Sequence, residues 1–335
     1  MQFENTIIHS AIGGYFELEL AQGTGEYHRN VLRYQSARAA FLALLRAGRP
    51  ATIWMPWYVC DSMMEPPVMA GIPVRRYGLD AELQIVDAQP GVNDWLLYVN
   101  YFGVCRRGVM ETLRRFDSER IIIDNSQAFF NPAEDCLATI YSPRKFFGVP
   151  DGGYLATKLD MREPEEIDQG SIGRCTHLLR RLGDEPEKGY ADFVAADSSL
   201  SGQEPKRMSR LTQTLLSHIP YGAIGAKRKE NFALLHERLA ASNGFPLDPR
   251  EDEVSLCYPY LPRCGCDPEA LRAKRIYVPR YWPKIAVSNV VPEFEVTLAQ
   301  NTLFLPCDQR MTEKLMERML QVLAGECSFD EVSAA

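Results

Sequence analysis

The chain of 335 residues has no run approaching the ~20 apolar residues that a membrane span requires. Its first twenty residues lack a basic start followed by an apolar stretch, so no signal peptide is expected. A formal net charge of −7 leaves no basic face for nucleic acid. The local clusters Arg106-Arg107, Arg114-Arg115 and Lys227-Arg228-Lys229 fall in helical patterns and read as solvated faces. The nine cysteines contain no CxxC pair, and Cys264-Gly265-Cys266 has the wrong spacing for a zinc knuckle. Reduced, mostly buried thiols and no metal site are therefore expected, in a cytoplasmic protein. His9, His28, His177, His218 and His236 lie far apart, with no ligand partner at helical spacing, and read as structural or exposed. There is no GxxxxGK[ST] loop, no HExxH and no GxSxG, and Gly23-Thr24-Gly25 breaks off short of GxGxxG.

What is present is a globular composition. At 46% hydrophobic and 24% charged residues, wholesale disorder is excluded. A chain this long buries roughly three quarters of its unfolded surface and is expected to divide into a large and a small domain. Ala- and Leu-rich residues 37–47 predict a helix, closed by Gly48 as a left-handed cap. A strand over 52–55, a helix over 59–70 ending at Gly71 and a strand over 74–77 follow. Strands are expected at 95–99, 120–124, 137–141 and 154–157, with a helix over 107–116. Apolar runs alternating with helices predict an α/β domain with a mostly parallel, helix-covered sheet. Residues 169–206 are polar and read as a long surface excursion towards a partner subunit. A helix over 221–241 ends at Asn243-Gly244. Beyond it, strands at 254–258, 275–278 and 302–305 and helices at 268–274 and 312–323 suggest a small α+β domain, with the division at 1–244 and 245–335.

Ligands collect at the C-terminal ends of strands in an open α/β sheet, and three features fall at such ends or at a helix start. Asp124 closes the run Ile121-Ile122-Ile123. A carboxylate there can ligate a metal, cap a helix or pair with a cationic ring nitrogen. Lys145 stands between Arg144 and Phe146-Phe147, entering a turn with Gly148, Gly152 and Gly153. It is either a surface loop residue or an amine made nucleophilic by desolvation and a nearby cation. Ser36 precedes Ala37-Arg38-Ala39-Ala40, where it is an N-cap and where small residues leave room for an anion at the first-turn N–H groups.

In that order the features resemble fold-type-I pyridoxal-phosphate enzymes, specifically the DegT-type sugar aminotransferases. Asp124-Asn125-Ser126-Gln127-Ala128 is similar to that family's Asp-x-x-His/Gln-Ala, and Lys145 follows Asp124 at the family's interval. Met55 to Cys60, Gly71 to Asp80, Arg207-Met208-Ser209, Lys227 to Asn231, Ile276 to Pro283 and Leu305 to Gln309 extend the resemblance along nearly the whole chain.

The resemblance implies pyridoxal 5'-phosphate bound as a Schiff base to Lys145. Asp124 pairs with its ring nitrogen and Gln127 packs on one ring face, with Tyr58 or Cys60 opposite. The phosphate lies on Ala37, Arg38 and Ala39, with Ser142 nearby. Tyr281 and Trp282 are the expected substrate contacts. It further implies a homodimer that moves an amino group from an amino acid, glutamate foremost, to a nucleotide-linked keto-sugar. A different pyridoxal-phosphate reaction of the lyase or dehydratase type, or a non-catalytic regulatory role, are the alternatives.

Overall fold

A computed structural model of the chain describes residues 13–247, 253–263 and 265–326. Eight strands make one sheet: β1 (Leu32–Tyr34), β2 (Thr52–Pro56), β3 (Val74–Leu79), β4 (Ile85–Val86), β5 (Asp94–Val99), β6 (Ile121–Asp124), β7 (Ala138–Tyr141) and β8 (Gly153–Thr157). Their spatial order is β1-β8-β7-β6-β5-β2-β3-β4. The five strands from β7 to β3 are parallel, β8 runs against both β7 and β1, and β4 runs against β3. β1 therefore points the same way as the parallel five. The central strands are covered on both faces, which is why they read as unbroken apolar runs rather than alternating ones. Ile122, Ile123, Leu97 and Tyr98 are fully buried.

The helices are α1 (Ala37–Gly48), α2 (Glu65–Ala70), α3 (Arg106–Arg115), α4 (Ser171–Arg174), α5 (Thr176–Gly183), α6 (Tyr190–Ser198), α7 (Arg210–Ser217), α8 (Tyr221–Leu239), α9 (Pro268–Ala273), α10 (Glu293–Asn301) and α11 (Glu313–Glu326). A separate two-stranded sheet pairs β9 (Tyr258–Tyr260) antiparallel with β10 (Leu303–Leu305). No helix among the described residues is long and apolar enough to cross a membrane.

The expected strands of the main sheet are found within a residue or two of their expected bounds; the helix expected over 59–70 is instead a 3-10 turn, Asp61–Met63, followed by α2 from Glu65, and four further details differ. The left-handed cap of α1 is Arg49, with φ 47°, and Gly48 is the last helical residue. The Trp95 ring leaves no room for a side chain there, since a Cβ on Gly48 would stand 1.9 Å from it. The strand expected at 254–258 lies at Tyr258–Tyr260 instead, where its register is set by pairing with β10. Residues 275–278 form no strand, because Arg275 takes a left-handed φ of 59° directly after α9. The excursion at 169–206 is not merely a loop, since it carries α4, α5 and α6.

That excursion is pinned to the Lys145 loop by a buried ionic cluster. Arg174 Nη1 donates to Asp151 Oδ2 at 2.7 Å and to Asp168 Oδ2 at 2.5 Å. Ser171 and Thr212 hydroxyls donate to the two oxygens of Asp151 at 2.5 Å each. All three charged residues are buried, so removing Arg174 would strand two carboxylates, a loss of about 3–5 kcal/mol.

Six cysteines are free thiols among the described residues: Cys60, Cys105, Cys136, Cys175, Cys257 and Cys307. Cys266 departs from the reduced reading and is disulfide-bonded, while Cys264 lies outside the described residues, as does His9.

His28 is structural. Its Nε2 lies 2.6 Å from the Phe129 carbonyl and its ring packs 3.9 Å from that of Tyr141. Burial lowers its pKa from 6.5 to about 4, more than the bond to Phe129 raises it. The unfolded chain thus binds this proton more readily, so the contribution is complete above pH 6.5 and is lost as pH falls towards 4. The loss amounts to about 3 kcal/mol. Urea unfolding between pH 7 and 4 is expected to show this decline in the native chain and a shallower one in His28→Gln. Equal slopes would remove His28 as the cause.

Candidate active site

The topology gathers the three expected features at one end of the sheet. β1, β2, β5, β6 and β7 share one direction, so their C-terminal ends lead to Ser36, Cys60, Asn100, Asp124 and Lys145 on the same side. β8 begins on that side, at Gly153. The N-terminus of α1 rests directly on this start. A Cβ on Gly153 would stand 2.3 Å from the Ser36 carbonyl carbon and 2.4 Å from the Ala37 nitrogen. Gly152, with φ 115°, turns the chain into that contact, and its N–H bonds to Gln35 O at 2.8 Å. The Gly-Gly pair is thus what lets the Lys145 loop and the helix start touch.

Ser36 caps α1 by accepting the Ala39 N–H at 3.1 Å. The other N–H groups of a first turn have no partner within the helix, which makes this start an anion site at Ala37 and Arg38. The Arg38 side chain turns to acids. It bonds Ser201 Oγ at 2.6 Å and lies 3.5 Å from Glu65 and 3.7 Å from Asp197. Arg144 reaches the same Asp197 at 2.8 Å, so the cation beside Lys145 is balanced by a carboxylate.

Asp124 is buried, with 4% of its surface exposed. Its Oδ1 accepts the Ser126 N–H at 2.8 Å, and no cation among the described residues stands within ion-pair distance of it. Ser126 Oγ beside it is buried without a partner among the described residues. Lys145 ends a short 3-10 turn, Pro143–Lys145, and its N–H bonds the carbonyl of buried Ser142 at 3.3 Å. The lysine is exposed, so the desolvation expected for it is not supplied by this chain's own packing.

Cys60 ties these groups together. Its thiol pKa is raised, first by burial and then by Asp124, while Lys145 and Arg38 lower it. One half-buried sulfur therefore lies within electrostatic reach of the amine, the carboxylate and the helix-start arginine. Tyr58 does not share that position. It is fully buried, with its ring 4.2 Å from Trp282 and 5.4 Å from Tyr101. Of the two residues expected over the ring, Cys60 is the one within electrostatic reach of Lys145 and Asp124, and Tyr58 is packed in the core. Trp282 is engaged with Tyr58, whereas Tyr281 packs 4.6 Å from Phe304 and lines the cleft described next. The Gln127 side chain is also committed, its Oε1 accepting the Phe102 N–H at 2.9 Å.

A cleft of about 1160 Å³ opens on the lysine end of this arrangement, lined among others by Lys145, His177, Phe193, Arg228, Tyr281 and Gln309. Asp124, Cys60 and the start of α1 are not part of its wall. His177, read from sequence as structural or exposed, borders it half-buried, and burial lowers its pKa. Arg228, Gln309 and Asp151 were not legible as site residues, since each acts through partners remote in sequence.

The donor set fits pyridoxal phosphate. The buried carboxylate lacks a counter-ion where a protonated ring nitrogen would supply one. A primary amine shares its surroundings, and a capped helix start with small residues offers N–H groups to a phosphate.

No family model matches the chain, and no curated protein matches it. Solved structures do. The sugar aminotransferase CalS13 from Micromonospora echinospora superposes with a TM-score of 0.59 at 15% identity, over 88% of this chain and 87% of that one. A DegT DnrJ EryC1 StrS aminotransferase from Brucella abortus gives 0.59 at 14% identity, over 89% and 86%. NtdA from Bacillus subtilis with bound cofactor PMP gives 0.57 at 14% identity, over 88% and 73%. At these identities the likeness establishes the fold, the fold-type-I α/β architecture.

The placement of Cys60 is testable without any cofactor. Removing the amine's charge in Lys145→Ala should raise the pH midpoint of Cys60 alkylation, and removing the carboxylate's charge in Asp124→Asn should lower it. Peptide mass spectrometry reads both, and shifts of the same sign, or none, would separate Cys60 from the pair.

Proposed function

We propose that the chain is a pyridoxal-phosphate-dependent aminotransferase of the DegT type, moving an amino group from an amino acid, glutamate foremost, to a nucleotide-linked keto-sugar. The observation that carries this reading is the buried carboxylate of Asp124, without a cation among the described residues, in the same electrostatic neighbourhood as the Lys145 amine. The fold shared with solved sugar aminotransferases supports it.

When bound, pyridoxal phosphate supplies an aldehyde for an amine and an electron sink whose strength depends on a protonated ring nitrogen. Asp124 would hold that proton by an ion pair, fixed in depth by β6 and in orientation by the Ser126 N–H. The first turn of α1 would bind the phosphate through the N–H groups of Ala37 and Arg38, the Ala39 N–H being taken by the Ser36 cap. Cys60 would lie against one face of the ring. Lys145 Nζ would anchor the group and, once displaced by a substrate amine, act as the general base that moves a proton at the substrate carbon. Ser142 would set the turn that presents it, and Tyr281, which lines the cleft, would meet substrate there.

Lys145 is exposed in the single chain, and this chemistry works best with water excluded. The exposed apolar side chains of Ile172, Leu179, Leu182, Tyr190 and Phe193 border the same cleft. Such a patch marks a contact surface, and it supports a homodimer in which the 169–206 excursion meets the partner. The six free thiols among the described residues support a reducing, cytoplasmic location, and the disulfide at Cys266 counts against it.

Purified protein supplied with the cofactor is expected to show a visible absorption band that glutamate bleaches, with release of 2-oxoglutarate. Lys145→Ala should slow this half-reaction at least about 10²-fold. An unchanged spectrum and an unchanged rate in that variant would defeat the proposal.

A further inference from the structure

Phe146, the residue after Lys145, is held from outside its own loop. Its carbonyl accepts Gln309 Nε2 at 3.0 Å and Arg228 Nη2 at 3.3 Å, and the Arg228 guanidinium lies 4.7 Å from the Phe146 ring centroid. Arg228 Nε donates in turn to Gln309 Oε1 at 3.0 Å. The two side chains, one from α8 and one from the turn after β10, therefore close on Phe146 together. Asn231, one helical turn beyond Arg228, donates to the carbonyls of Cys307 and Asp308 at 3.3 and 3.0 Å, which fixes the turn that carries Gln309.

Arg228 also reaches back towards Asp124. Its Nη1 donates to Ser255 O and Leu256 O at 3.1 Å each. The Leu256 N–H bonds Phe102 O at 2.8 Å, and the Phe102 N–H bonds Gln127 Oε1 at 2.9 Å. Phe102 holds a left-handed φ of 56°, a conformation that needs such support. A continuous path thus runs from the neighbour of Lys145, through Arg228, Leu256 and Phe102, to Gln127, three residues after Asp124.

Arg228 is 2% exposed, and no carboxylate among the described residues lies within ion-pair distance of its guanidinium. Asp308, the acid whose charge reaches it, is bound by Arg310 through two bonds of 2.8 Å. Burying a cation without a counter-ion is costly, and stability alone would be served as well by an apolar side chain. An arginine offers five donors in a rigid fork, which is what lets one side chain serve three segments, and a lysine cannot replace it.

We propose that Arg228, acting with Gln309, is a positioning residue that sets where the Lys145 amine stands relative to Asp124. The inference rests on the reading of Lys145 as the cofactor lysine. Its first test needs no cofactor, so failure of one is distinguishable from failure of the other.

The experiment compares Arg228→Lys, which keeps the charge and loses the fork, with Gln309→Ala, which removes the neutral half of the clamp and is the milder change for folding. In the cofactor-free full chain, Lys145 is labelled with trinitrobenzenesulfonate across pH and read by peptide mass spectrometry. Both variants are expected to shift the labelling midpoint by about half a pH unit or more. In the loaded protein, kcat is expected to fall on the order of 10–10²-fold, with the donor KM little changed. Adding Gln127→Leu to Arg228→Lys should cost less than the sum of the two single effects, since both lie on one path. A labelling midpoint equal to the native one in a folded Gln309→Ala variant would overturn the proposal, as would full rescue by Arg228→Lys.

Discussion

A carboxylate buried without a cation is the constraint around which the site is arranged. Leaving a charged group in that state costs several kcal/mol unless something pairs with it. Asp124 has one oxygen satisfied by the Ser126 N–H and no ion pair among the described residues. Its depth follows from the sheet, because β6 lies between β5 and β7 and its three isoleucines are buried. The carboxylate therefore emerges where the parallel strands end, next to the strand whose continuation carries Lys145.

The remaining parts hold the Lys145 loop in place from several directions. The Gly152-Gly153 pair allows the start of α1 to lie on the Lys145 loop. Asp151, between that loop and the glycines, is locked by Arg174 and Thr212. On the far side, Phe146 is gripped by Arg228 and Gln309. Three independent contacts thus fix a loop of about ten residues, and only the lysine side chain is left exposed to meet a ligand or a second subunit.

Much of this was legible in the sequence. Buried strands show as apolar runs between Gly and Pro, so the ends of β2, β6 and β7 could be placed, and with them Cys60, Asp124 and Lys145. The N-cap at Ser36 is a local bond and could be read locally. What could not be read depends on partners far along the chain. The helices between 171 and 198 are interrupted at Cys175 and by Asp184-Glu185-Pro186, and they are anchored by Arg174 to acids outside their own segment. β9 is Tyr-Pro-Tyr, which lacks a central donor and exists as a strand only through β10. The choice between Tyr58 and Cys60 turns on which way the chain leaves β2, and the Tyr101 and Trp282 rings that claim Tyr58 come from distant segments. Gln127 accepts from a backbone N–H 25 residues away and Arg228 donates to a backbone carbonyl 82 residues away, partners invisible to any spacing rule.

Covalent trapping puts the pairing of Lys145 with Asp124 to its most direct trial. The full chain is incubated with pyridoxal phosphate, reduced with borohydride and mapped by peptide mass spectrometry, alongside Asp124→Ala. A phosphopyridoxyl group on Lys145 in the native chain, and much weaker labelling of that lysine in the variant, is the expected result. Label scattered over other lysines, or equal labelling of Lys145 with and without the carboxylate, would contradict it.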